Sequence, residues 1–107
     1  MLVIQRRIKV KEGFSGQIVE RFSKPGPVQE MDGFIDMSVL VKAVRRGEEE
    51  VIVQIRWESE EAWKGWEKSD VHIQGHRESR GKTPPDYVLE TEVSRYEVAA
   101  VKGSIAR

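Results

Sequence analysis

The 107 residues carry eighteen basic and eighteen acidic side chains, two histidines and no cysteine. The cancelled charge supplies no field to attract a nucleic acid or an anionic membrane surface, and the missing thiols exclude disulfides, thiolate catalysis and zinc–thiolate centres. This length predicts a single domain over residues 1–107. With neither a basic-then-apolar leader nor an apolar run of about eighteen residues, the expected location is cytoplasmic.

Residues 1–10 alternate, with Leu2, Ile4, Arg6, Ile8 and Val10 on one face of a half-buried strand. Arg6 stands where an aliphatic side chain is expected. An unpaired buried guanidinium is very costly. Arg6 therefore reaches an anion, lies at the open mouth of a barrel or groove, or snorkels to water from the end of its face. After a turn at Lys11-Glu12-Gly13, the spacing of Phe14, Ile18, Val19 and Phe22 predicts a helix with Ser15 as N-cap. Lys24-Pro25-Gly26-Pro27 stops it. Phe14 and Phe22 read as core rather than ligand contacts.

A second strand follows Asp32-Gly33, with Ile35, Met37, Val39, Val41 and Ala43 on one face and Phe34, Asp36, Ser38, Leu40 and Lys42 on the other. Arg45–Glu50 reads as a solvated, charged hairpin tip. The returning strand turns Val51, Val53, Ile55 and Trp57 to one side and Ile52, Gln54 and Arg56 to the other. Ser59 then caps a helix striped with Ala62, Trp63 and Trp66. Ser69-Asp70 starts a short helix that puts His72 and His76 four residues apart on one face. Residues 77–86 read as a polar loop. The last strand, about Tyr87 to Val98, slips in its alternation at Ser94–Tyr96 as a bulge requires.

The order strand, helix, strand, strand, helices, strand is that of an α+β, ferredoxin-like split βαβ fold, an antiparallel sheet with helices on one face. Its other face is expected to be partly apolar (Phe34, Leu40, Ile52) and therefore to find a partner. The expected partner is a second copy, giving a homodimer whose sheets close face to face into a dimeric α/β barrel.

All three tryptophans and both histidines fall between Trp57 and His76. That concentration reads as the wall of a binding site. His72-x-x-x-His76 alone is half of a metal site, lacking a third ligand and the glutamate of the zinc-protease motif, since residue 73 is Ile. A heme asks for less: one neutral imidazole and large flat apolar walls.

The segment Trp57-x-Ser-x-x-Ala-Trp-x-x-Trp66-x-Lys-Ser-Asp-x-x-x-x-x-His76 resembles the signature of the IsdG-type heme-degrading monooxygenases, within the antibiotic biosynthesis monooxygenase superfamily of dimeric ferredoxin-like proteins. Gly13, Ile18–Phe22, Met31–Phe34 and Pro85–Tyr87 extend the likeness along nearly the whole chain. The resemblance implies that His76 is the axial ligand of heme iron and that Trp66 presses on the distal heme face and holds the macrocycle out of plane. Such strain serves a reaction in which heme is both cofactor and substrate. The family places an asparagine in the distal pocket from its first strand, where this chain has Arg6. A guanidinium there can hydrogen-bond iron-bound oxygen, pair with a propionate, or obstruct binding. The family also carries a bulky apolar residue where this chain has His72, which either competes for iron or lines the pocket. Arg77, with Arg80 and Lys82, is placed to meet propionates or is an exposed basic loop.

The resemblance implies a heme oxygenase that cleaves the porphyrin with O2 and releases iron. No GxGxxG stretch marks a flavin or nicotinamide site in this chain, so an external reductase is the expected electron donor. Two readings stand beside it: a non-catalytic heme carrier in which Arg6 blocks oxygen chemistry, and a cofactor-independent monooxygenase of a small aromatic substrate.

Overall fold

A computed structural model describes residues 1–42, 44–79 and 83–105, without the side chains of His76, Glu78 and Ser79. Its elements are β1 (Leu2–Val10), α1 (Ser15–Ser23), a 3-10 turn (Pro27–Glu30), β2 (Phe34–Val41), β3 (Glu49–Trp57), α2 (Glu60–Glu67), α3 (Asp70–Ser79) and β4 (Val88–Glu97). The strands form one antiparallel sheet in the order β2-β3-β1-β4, the ferredoxin-like arrangement. Within one chain this sheet is open. The barrel expected from sequence is not closed by these four strands and would require a second copy.

The period of two along β1 and β3 sends Leu2, Ile4, Ile8 and Val10 of the one and Val51, Val53 and Ile55 of the other to the helix side. Ile8 faces Val51, and Ile4 faces Ile55. One buried cluster joins Ile8, Val10, Ile18, Val51 and Val53; a second joins Leu2, Val28 and Trp57. Met37 packs against both. The second cluster is floored by Trp57, 1% exposed, and carries Trp63 and Trp66 at its edge.

Four local expectations are corrected. Ser15 is the first residue of α1 rather than its cap, and Phe14 at the cap position offers no side-chain bond. The Ser15 N–H instead donates to Glu49 Oε1 across the fold at 2.9 Å. This contact, foremost among several with the Gly13–Ser15 backbone, holds the Glu49 carboxyl below the usual carboxylate range. Glu49 thus belongs to β3 and to the start of α1, not to a solvated tip. Second, β2 bulges at Ile35: Phe34 pairs with Trp57, whereas Asp36 pairs with Arg56. The extra residue reverses the alternation, so Phe34 turns inward and meets Trp57 edge-on at 5.7 Å.

Third, the irregularity of β4 lies at its beginning, where Lys9 pairs with Glu90 but Val10 with Val88, rather than at Ser94–Tyr96. Fourth, α3 continues to Ser79, so Arg77 is helical and not in a loop. Pro27, read from sequence as part of a breaker, opens the 3-10 turn, a position where its missing N–H costs nothing. That turn brings Val28 into the second cluster. The expectation for Ala43 lies outside the described residues.

With Phe34 withdrawn, the open sheet face is more polar than expected. Arg7 Nη2 donates to Glu92 Oε2 at 2.6 Å, Gln5 donates to Gln54 at 2.7 Å, and Arg56 pairs with Asp36. Leu40, 46% exposed, and Tyr96, 51% exposed, with the half-buried Val3 and Ile52, remain as its apolar surface.

Candidate functional site

Two close approaches fix α2 on the sheet. Ser59 adopts the extended conformation of an N-cap and its Oγ accepts from the Ala62 N–H at 3.1 Å. Gly33, at φ +82°, accepts from the Glu58 N–H at 2.8 Å. The stripe predicted from sequence results: Ala62, Trp63 and Trp66 face the sheet. A second cap turns the chain into α3. Ser69 Oγ donates to the Trp66 carbonyl at 2.7 Å and accepts from the His72 N–H at 3.2 Å.

Between α2, the start of α3 and the sheet lies a cleft of about 250 Å³. Its walls are mostly apolar: Ile4, Met37, Ile55, Trp57, Trp63 and Trp66. Its polar rim is Arg6, Glu67 and His72. Three sequence-predicted site residues, Arg6, Trp66 and His72, are therefore brought together from β1, α2 and α3.

Arg6 resolves its anomaly at the cleft mouth. It is exposed although it points to the helix side, and its register neighbours are Val53 and Val93, neither of which offers an anion. Among the described residues it has no ion-pair partner. Its neighbour Arg7, on the other face, pairs with Glu92 and Glu50. Arg6 and Phe22 also line a second groove of about 340 Å³ with Arg21, Ile18, Thr83 and Pro85. Phe22, assigned to the core from sequence, does pack there, yet it borders both clefts.

His72 is half-buried, with its ring 4.7 Å from that of Trp66 at a 56° tilt. Its Nε2 lies 3.0 Å from Glu67 Oε2. Glu67 was not legible as a site residue: it meets His72 only because the chain kinks at Ser69. Arg77 is exposed on α3 and does not line the cleft. The backbone of His76 continues α3 one turn beyond His72, while its side chain, with Arg80 and Lys82, lies outside the described residues. Among the described residues no group of three or more metal-ligating side chains gathers, and no helix is long and apolar enough to cross a membrane.

An open ferredoxin-like sheet with an aromatic cleft beneath its helices defines the class. Residues 1–78 match the antibiotic biosynthesis monooxygenase family, and the chain belongs to that family. It is 57% identical, over 95% of its length and 94% of the relative's, to the heme-degrading monooxygenase HmoA of Bacillus subtilis. It is 32% identical to a heme-degrading monooxygenase of Halalkalibacterium halodurans, over 98% of this chain and 88% of that one. Among solved structures, a Bacillus cereus protein assigned as an antibiotic biosynthesis monooxygenase superposes with a TM-score of 0.86 at 45% identity, covering 99% and 98% of the two chains. The heme degrader MhuD of Mycobacterium tuberculosis, solved with two hemes in its active site, shares the fold: its TM-score is 0.67 at 22% identity, over 96% of this chain and all of that one.

Proposed function

We propose that this chain is a heme-degrading monooxygenase that opens the porphyrin ring and releases iron. The observation that carries the reading is the cleft itself. Three tryptophans and aliphatic residues supply flat apolar walls, and at the rim stands the Arg6 guanidinium, which has no ion-pair partner among the described residues. That lining suits a large planar molecule with an anionic edge. The 57% identity to a heme-degrading relative supports the same substrate.

Heme, bound as substrate, would bring its own redox-active iron. His76 is the residue proposed to ligate it, one helical turn beyond His72. Trp66 forms the wall that would bear on the ring, and Arg6 the group that would meet either the reacting side or a carboxylate. The volume of about 250 Å³ is smaller than the roughly 300–1,000 Å³ usual for ligand pockets. A bound macrocycle would therefore extend past the cleft rim, beside Val93, which is 57% exposed. Electrons are proposed to come from a separate reductase. The uncovered sheet face is proposed to pair with a second copy, completing the dimeric barrel.

Hemin titration tests this reading. The expected result is a shifted Soret band saturating at one heme per chain, which bleaches when ascorbate is added in air. Absence of a shift would reject heme as ligand and favour a cofactor-independent oxygenase. A shift without bleaching would instead identify a heme carrier.

A further inference from the structure

The pair formed by Glu67 and His72 is not used by that reading, and its geometry is unusually determined for a helix junction. Glu67 ends α2 and His72 lies in the first turn of α3. Ser69 Oγ spans the kink, holding the Trp66 carbonyl on one side and the His72 N–H on the other. Across the same kink, His72 Nε2 stands 3.0 Å from Glu67 Oε2. This is a close polar approach of a carboxylate oxygen to an imidazole nitrogen, and it keeps the ring edge turned toward Glu67. That ring then meets Trp66 at 4.7 Å, within the range of a favourable aromatic contact.

We propose that His72, held by Glu67, is a positioning residue that sets the tilt of the Trp66 indole at the cleft wall. The consequence for iron rests on the heme reading: the Nε2 of His72, engaged at Glu67, is not the nitrogen that ligates it. Ligation through Nε2 would break the Glu67 contact. A merely apolar residue at position 72 would touch Trp66 but would leave its own ring orientation unheld by any carboxylate.

The test begins without heme, on 15N-labelled protein. The three indole N–H resonances are recorded, and that of Trp66 is identified by its loss in Trp66→Phe. Glu67 is 43% exposed, so its substitution spares the core. Glu67→Ala is expected to move the Trp66 resonance while those of Trp57 and Trp63 stay in place. Glu67→Gln, which keeps a polar group of the same size beside Nε2, is expected to restore it. With hemin, His72→Phe is expected to keep the ligated Soret band. Glu67→Ala is expected to lower turnover about tenfold or more through a displaced wall. An unmoved Trp66 resonance in Glu67→Ala would overturn the proposal, as would loss of the ligated band in His72→Phe. Failure of the wild type to bind hemin would reject the heme reading instead, and the indole comparison would still decide the positioning role.

Discussion

Gly33 stands directly against Ala62: a Cβ built on Gly33 would collide with the Cβ of Ala62. The turn entering β2 and the helix carrying Trp63 and Trp66 are thus in backbone-to-side-chain contact. The φ of +82° adds a second requirement for glycine at the same position.

Gly33→Ala is therefore expected to cost about 2–5 kcal/mol, the sum of a left-handed backbone penalty and an overpacked contact. Urea unfolding should show a lower midpoint with an unchanged slope. Because α2 must shift to make room, hemin affinity should fall as well. A midpoint equal to wild type would mean that α2 gives way freely.

Arg6→Asn is expected to keep or raise the rate of Soret bleaching under ascorbate and air. The change removes a long cation from the rim and leaves an amide capable of hydrogen bonding. Complete loss of turnover with heme still bound would show instead that the guanidinium takes part in the reaction.

His76→Ala is expected to abolish the ligated Soret band while light scattering reports the mass of the unsubstituted assembly. Retention of that band would move the ligand to His72 and contradict its contact with Glu67.

Glu49 makes stability depend on acid. Its carboxyl is depressed by the Ser15 N–H, so in acid the unfolded chain binds the proton more readily than the folded one. Stability then rises with pH over that range. The contribution is complete above the ordinary glutamate value of about 4.3 and is lost as pH falls through the lower, folded value. Glu49→Gln keeps an acceptor for Ser15 but cannot titrate. Urea midpoints measured from about pH 6 to about pH 3 should consequently decline less steeply in Glu49→Gln than in wild type. Parallel curves would assign acid sensitivity to other carboxylates, beginning with Asp36 beside Arg56, whose pKa is also lowered.

The strand and helix order was legible because each long element announces its period. Alternation in Leu2–Val10 and Val51–Trp57 and the stripe of Ala62, Trp63 and Trp66 needed no tertiary information. The misplaced residues are those whose side is decided by a neighbour. Phe34 turns inward because Ile35 is left over when β2 pairs with β3, and a one-residue surplus is invisible in β2 alone. Ser15 looked like a cap, but Glu49, 34 residues away, accepts from its N–H. In the site, Arg6 could be singled out because it broke a pattern. Glu67 could not, because a glutamate at the end of an exposed helix breaks none.

Arg6 has a further effect through its place on the sheet. It and Phe22 border both the tryptophan cleft and the neighbouring groove, and so act as the partition between two small compartments. Neither reaches well into the size range of ordinary ligand pockets. The capacity of this fold for a large planar guest therefore depends less on digging deeper into the core than on the length of the side chain at position 6. A shorter residue there would leave Phe22 as the remaining shared border of the two clefts. The arginine borders two rooms, one walled by indoles and the other lined by Arg21, Pro84 and Pro85.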